Sequence, residues 1–271
     1  MMTAEANLWV LINETTGPTS GGTKLTNDDL QVIADVITEQ MNADYSPLCG
    51  GQPTLVRVGS GINDVNLAAG EKPYYFQDSL PDAPGASAYH VPGAAYCAVS
   101  TCEDVFGPRG VSVDTSHEIL EDAGNPGCNA SVDDGQGQEH ELEECDAVEV
   151  QTYQKKHEKT GTAVSVSNFL LPAWRIPGNR GPFTYMAKAN LPGYVEPAGP
   201  FQTAPGNGGN YQLIFPSDTS QIHDVFAKKT GVNPAQFLAG KPRKPAKFFH
   251  FTSRASRILA NKKRKHAPEV T

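Results

Sequence analysis

Apolar and polar positions follow two periods along this chain, one typical of strands and one typical of helices. An uninterrupted apolar run at residues 8–12 predicts a buried strand, and the alternation at residues 54–58 predicts a second one. Between them, apolar residues recur at helical spacing after Thr26, which precedes two aspartates in the way typical of a helix start. The pattern therefore predicts an N-terminal helix that ends near Asn42.

A second helix is predicted at residues 111–123. The sequence Gly124-Asn125-Pro126-Gly127 follows it, and a Gly/Pro cluster of this kind ends a helix. Further short strands are predicted at residues 74–76, 95–99 and 211–215, and short helices at residues 221–229 and 234–238.

Composition favours an α+β fold with a loop-rich C-terminal part. Of 271 residues, 21 are Pro and 26 are Gly, and only 38% are hydrophobic, which implies many turns. The apolar runs are too short to span a bilayer, and the first residues lack the basic and apolar regions of a secretory signal. We therefore expect a cytoplasmic or virion-associated protein without a membrane partner.

Charge divides the chain into an acidic body and a basic tail. Residues 241–271 carry ten Lys and Arg against one Glu, a formal charge of +9, and the other 240 residues carry 12 basic and 29 acidic side chains, or −17. We expect a domain at residues 1–240 and a tail at 241–271 that contacts a virion or other protein partner. The alternatives are a solvated terminus and nucleic-acid binding, in which aromatic residues such as Phe249 would stack on bases.

The strongest chemical signal is the pattern H-E-x-x-E within the second predicted helix. Residues four apart share one helix face, so that His117 and Glu121 can point at one ion. Glu118 lies beside them, where a general base for a metal-activated water is needed. The alternative is that these charged residues form an ordinary exposed helix face.

A catalytic zinc site needs a third protein ligand, which we expect from the acidic segment 140–149. In metal-assisted hydrolysis the ion lowers the pKa of water, Glu118 accepts the proton, and His90 or Tyr89 is a candidate donor to the oxyanion. The candidate third ligands are His140, Glu143, Glu144, Asp146 and Glu149.

The five cysteines form no C-x-x-C pair, so a thiolate zinc site is not expected. Cys97 and Cys102 would bridge a short loop in an oxidising compartment, but free thiols in a reducing one are the preferred interpretation.

The surroundings of the helix motif resemble a known family. Residues 115–121 and the following Asn125-Pro126 are similar to the S-H-E-x-L-E-x-x-x-D-P signature of uncharacterised zincin-like metallopeptidases of bacteria and their phages. Further stretches resemble elements of that family in the same order. They are Glu39-Gln40 with Asp44-Tyr45-Ser46-Pro47, Ala88-Tyr89-His90, residues 143–149 and residues 166–174.

The resemblance implies a zincin-like α+β fold over about residues 8–215, with a small mixed sheet packed on the N-terminal helix and on the H-E-x-x-E helix. It implies that His117, Glu118 and Glu121 form the core of a Zn²⁺ site. Glu143 is the favoured third ligand and Asp146 the next choice.

Two functions follow as expectations. The first is a zinc-dependent hydrolase acting on a peptide or protein. The second is a structural or binding protein on the same fold, such as a phage virion component, that uses its basic tail to hold a partner or nucleic acid. Asn125 and Asn168 stand where the family has aspartate, and Ala147 where it has proline, which favours the second function.

Overall fold

A computed structural model describes residues 6–60, 67–83, 86–205, 210–216 and 223–226. This part of the chain has eleven strands and four α-helices. The strands are β1 (Asn7–Asn13), β2 (Thr54–Val58), β3 (Glu71–Gln77), β4 (Ala88–Val91), β5 (Ala94–Ala98), β6 (Ser131–Asp133), β7 (Gln138–Glu141), β8 (Thr152–Lys156), β9 (Ala163–Ser167), β10 (Tyr211–Pro216) and β11 (His223–Phe226). The helices are α1 (Asn27–Glu39), α2 (Ser46–Cys49), α3 (Val111–Gly124) and α4 (Tyr185–Lys188).

The main sheet has five strands in the order β2-β1-β3-β5-β4. Strand β1 pairs in parallel with β2 and β3, and β3 pairs in parallel with β5. Only β4 is antiparallel to its neighbour. The sheet is therefore small and mixed, and together with the few helices it confirms the predicted α+β class.

Helix α1 begins where the sequence predicts. Thr26 accepts a hydrogen bond from the Asp29 amide, and the Asp29 carboxylate accepts one from the Thr26 amide, which satisfies backbone donors that the first helical turn leaves open. The α-helical part ends at Glu39 rather than near Asn42. The chain continues as a π-helical segment, Gln40–Tyr45, and then as α2, a helical turn that the sequence did not predict.

Helices α1 and α3 share one apolar core with the sheet. Ile33 and Ile37 of α1, Ile119 of α3 and Trp9 and Tyr74 of the sheet are all fully buried in it. Side chains alternate between the faces of a strand, so β1 directs Trp9 and Leu11 to the same face. This shared core fixes α3 against the sheet, next to the edge strand β4.

The remaining strands form two smaller sheets. One has the order β11-β10-β7-β6, and the other is the β8-β9 hairpin. The predicted helix at residues 221–229 is wrong where it is described, because His223–Phe226 pairs with β10 as a strand. The predicted helix at 234–238 and the basic tail lie outside the described residues. No helix in the described ranges is long and apolar enough to cross a membrane.

A buried hydrogen-bond network connects α3 to the π-helical segment and to β9. The Ser116 hydroxyl donates to Gln40 Oε1 at 2.9 Å and accepts from the Ser167 amide at 3.0 Å. Gln40 Nε2 donates to the Ser167 carbonyl and to the Tyr153 hydroxyl, and Tyr153 in turn donates to Asp44. Three stretches that resemble the zincin-like family therefore meet here and hold the helix in register.

Replacing Ser116→Ala should destabilise the fold, because Gln40 Oε1 and the Ser167 amide would each lose a buried partner. We expect the free energy of unfolding in urea to fall by about 1–3 kcal/mol. Ser79 is exposed, so Ser79→Ala should change it by less than about 0.5 kcal/mol. Equal effects of the two substitutions would contradict a structural role for the network.

Candidate metal centre

The side chains of the H-E-x-x-E motif are buried in the protein. Residue exposure is 8% for His117, 5% for Glu118, 4% for Glu121 and 0% for Asp122. The interpretation of these residues as an ordinary exposed face is therefore wrong. Asp122 is neutralised by Lys72 at 2.5 Å, and this pair is structural. The other three turn toward strand β4 and the segment that follows β7.

His117 and Glu121 lie one helical turn apart and face each other. His117 Nε2 is 2.9 Å from Glu121 Oε1, yet the two atoms do not form an aligned hydrogen bond. Asp146 brings its Oδ1 to 3.3 Å from the same nitrogen. Asp146 begins a 3₁₀ turn, Asp146–Val148, that places its carboxylate beside the helix. Both carboxylates therefore approach the same nitrogen of His117.

Cys145 is a fourth potential ligand that the sequence did not indicate. Its sulfur lies within 4.8 Å of ligand atoms of both His117 and Glu121. Because the sequence has no C-x-x-C pair, it gave no signal for this cysteine as a ligand. Its single thiol, next to Asp146, nevertheless reaches the same centre. Tyr211 of β10 also contacts Asp146 through its side chain.

Strand β4 contributes His90 to the other side of Glu121. His90 Nδ1 is 3.0 Å from Glu118 Oε2 and 3.6 Å from Glu121 Oε2. Because a carboxylate only accepts hydrogen bonds, the Nδ1 proton of His90 points to Glu118. On the far side of the ring, His90 Nε2 lies 4.0 Å from Glu143 Oε2, an oxygen buried with no hydrogen-bond partner among the described residues.

The structure thus brings together all six site residues that the sequence indicated, and it divides them into two groups around Glu121. Asp146, rather than the favoured Glu143, lies beside His117, whereas Glu143 lies with His90. The roles of these residues as ligands, base or oxyanion donor stay predictions.

Other candidates from the sequence lie elsewhere. His140 bonds through Nδ1 to Gln212 at 2.8 Å and packs on Phe201. Glu144 is engaged by Arg175. Tyr89 stacks on Tyr96 with ring centroids 5.0 Å apart, and it lies on the opposite face of β4 from His90 because successive side chains alternate. Tyr89 therefore does not face the candidate centre.

Two asparagines, Asn125 and Asn168, also lie in structural positions. Asn125 Oδ1 accepts hydrogen bonds from the backbone amides of Asn129 and Ala130, and Asn168 Oδ1 accepts one from the amide of Met186. Both amide side chains support loops, as an aspartate at the same place would do. Cys97 and Cys102 are thiols with sulfur atoms 3.8 Å apart.

The clustering of carboxylates raises several pKa values. Burial, followed by the charge of Glu121, raises the pKa of Asp146 to about 7. Burial also raises the pKa of Glu149, to about 8, and the pKa of Glu143 well above its usual value. Burial alone would lower the pKa of His117, but Glu121, Cys145 and Asp146 together outweigh it and raise the pKa well above the usual range. In the absence of a cation, the centre therefore holds protons.

Comparisons with protein-family models, with curated proteins and with solved structures found no match to this chain.

The metal-free protein should lose stability as the pH rises. The folded centre keeps protons that an unfolded chain releases, on carboxyls above about pH 4 and on histidines above about pH 6.5. The stability that these carboxyls and histidines contribute is present at low pH and is lost as the pH rises toward their pKa values in the folded protein. We expect urea unfolding in the presence of a chelator to show a free energy lower by about 1–3 kcal/mol at pH 8 than at pH 6.

Excess Zn²⁺ should reverse this trend, because metal ligands must be deprotonated to bind. The same unfolding series with zinc should show stability that increases from pH 6 to pH 8. A chelated protein that becomes more stable with rising pH would contradict the proton-holding centre.

Proposed function

We propose that this protein is a metal-dependent hydrolase of zincin-like fold, with a zinc ion held by His117, Glu121 and Asp146. The observation that carries the proposal is the spacing of the three ligand atoms, with the histidine nitrogen 2.9 Å and 3.3 Å from the two carboxylate oxygens. Ligands bound tetrahedrally at about 2.0–2.2 Å from a zinc ion lie roughly 3.3–3.5 Å from one another. The 3.3 Å separation falls within this range and the 2.9 Å separation is shorter, so both carboxylates lie close enough to His117 to share an ion with it.

Charge supports the same proposal. A carboxylate removed from water is unstable unless a proton or a cation neutralises it. Among the described residues, the ion pairs made by Glu118, Glu121, Glu143 and Asp146 involve only histidines. An imidazole with two carboxylates suits Zn²⁺ and also admits harder ions such as Mn²⁺.

A bound zinc ion would lower the pKa of a water molecule and polarise a substrate carbonyl. Glu118 precedes Glu121 by less than one helical turn, and the Nδ1–H group of His90 orients its Oε2. This contact fixes the rotamer of Glu118 and leaves the carboxylate able to accept a proton, as a general base requires. With a single ion bound, His90 protonated at Nε2 as well is a candidate donor to a developing oxyanion.

A peptide is the substrate class that the sheet favours. Strand β4 carries His90 and forms an outer edge of the five-stranded sheet as described. Such an edge presents unpaired backbone groups to which an extended peptide can add as a further strand. A peptide bound there would pass directly beside the candidate centre.

The second candidate function is a structural or binding protein on this scaffold, such as a virion component. The charge division favours it, because residues 241–271 carry +9 beside an acidic body. A protein partner is preferred to nucleic acid for this tail. Binding of DNA or RNA through it would weaken steeply with salt.

Metal analysis of the purified chain tests the proposed site. After dialysis against zinc and then against metal-free buffer, the wild-type protein should retain zinc, and Glu121→Ala should lose it. Glu103 is an exposed acid paired with Arg109 at the surface, and Glu103→Ala should retain as much zinc as the wild type. No zinc in the wild-type protein would remove the metal-dependent function.

Replacing Glu118→Gln separates binding from chemistry. The variant should keep its zinc, because Glu118 is not a ligand in this proposal, and it should lose about 10²–10⁴-fold in the rate of peptide hydrolysis. A wild-type protein that binds zinc but cleaves no peptide in a mixed peptide library would favour the structural function.

A further inference from the structure

Glu121 presents its two carboxylate oxygens to two different groups of ligands. Oε1 faces His117 Nε2 at 2.9 Å, and Oε2 faces His90 Nδ1 at 3.6 Å. The first group contains Asp146 and Cys145. The second contains Glu143, whose ligand oxygen lies within 4.8 Å of ligand atoms of both His90 and Glu121. In centres with two metal ions, a bridging carboxylate binds one ion through each oxygen. Glu121 lies between its two groups of ligands in the same way.

We propose that the centre binds two divalent cations, one held by His117, Glu121 and Asp146 and the other by His90, Glu121 and Glu143, with Glu121 bridging them. The inference rests on the proposed function, since it adds a second ion to the same centre. It makes the protein a two-metal hydrolase, a class in which ions about 3.5–4 Å apart stabilise both the attacking and the leaving group.

The tautomer of His90 supports the second position. The Nδ1 proton is directed to Glu118 at 3.0 Å, so Nε2, which faces Glu143 at 4.0 Å, carries the lone pair that a metal requires. Glu121 Oε2 lies on the Nδ1 side of the ring at 3.6 Å, so it must turn toward Nε2 to share the ion. Metal-bound histidines usually donate their other ring N–H group to a carboxylate, which orients the ring and makes the ligand more basic. Glu118 occupies this supporting position, and it therefore remains free of the ion and available as a base.

Unsatisfied polar atoms point to the same place. Glu143 Oε2 and Glu121 Oε1 are buried with no aligned hydrogen bond in the part of the chain that the structure describes. Buried carboxylate oxygens normally have partners. Here they face imidazole nitrogens at 4.0 Å and 2.9 Å, one longer and one shorter than the roughly 3.3–3.5 Å between ligands of one zinc ion.

The number of buried negative charges distinguishes a centre with one ion from a centre with two ions. Glu118, Glu121, Glu143 and Asp146 carry four negative charges when ionised, and all four have side-chain exposures of 9% or less. One divalent cation would leave two of these charges to be balanced by protons on the histidines or on the carboxyls. Two divalent cations neutralise the set with both histidines in the neutral form that metal binding requires.

The test is the zinc stoichiometry of the full chain, measured by calorimetric titration and by metal analysis after dialysis. The wild-type protein should bind two ions. His90→Ala and Glu143→Gln should each bind one, and His117→Ala should keep only the ion near His90. His157 is a buried histidine paired with Asp35 at 3.1 Å, outside the centre, and His157→Gln should still bind two.

Loading with Co²⁺ tests for two bridged ions in a way that does not depend on binding affinity. Two Co²⁺ ions bridged by a carboxylate couple magnetically, so the fully loaded wild-type protein should show a weaker paramagnetic resonance signal per cobalt than His90→Ala. Circular dichroism before each titration ensures that every variant compared is folded. The more conservative Glu143→Gln serves if His90→Ala does not fold.

The outcomes are distinguishable from those of the proposed function. One ion in the wild type that survives His90→Ala would overturn the second position and leave the proposed function standing. Two ions in the wild type that both survive His90→Ala and Glu143→Gln would also overturn it, because the second ion would then lie elsewhere. No ion at all would remove both proposals.

Discussion

The cost of burying negative charge governs the architecture around helix α3. The helix lies between the sheet and the segment after β7, and every residue from Val111 to Asp122 except Asp114 is buried. It nevertheless carries His117, Glu118 and Glu121 into this interior. Because a lone ionised carboxylate is unstable there, every neighbouring element must bring either a proton, a cation or a ligand for one. The convergence of His90, Glu143 and Asp146 on this helix meets that requirement.

The support of the helix and the chemistry of its polar face use different residues. Ser116 points away from the candidate centre into the network of Gln40, Ser167 and Tyr153, whereas the next two residues point into the centre. Successive helical residues are about 100° apart, so one short run serves both purposes. The stretch from Ser116 to Glu121 therefore supports the helix as well as forming the candidate centre, and the presence of the H-E-x-x-E pattern alone does not establish catalysis.

Local signals made much of this architecture predictable. Helical periodicity and end signals located α1 and α3, and the spacing of His117 and Glu121 predicted that they share a face. The strand at residues 223–226 was not predicted from the sequence, because a short amphipathic stretch becomes a strand only through pairing with β10. Whether Glu143 or Asp146 approaches His117 depends on the 3₁₀ turn at residues 146–148. The sequence of these three residues alone does not predict such a turn.

The identity of the ion follows from how few imidazoles the centre offers. Each position has one histidine, and the remaining ligands are carboxylates, which favour harder cations than the two-histidine sites of H-E-x-x-H helices do. Cys145, beside His117, shifts only the first position toward zinc. The two positions therefore differ in their preference for soft or hard metal ions, although both include Glu121. In the proposed centre the position of His117 would prefer zinc, and the position of His90 would accept zinc or a harder ion such as Mn²⁺, so the same ligands would also suit a mixed-metal centre.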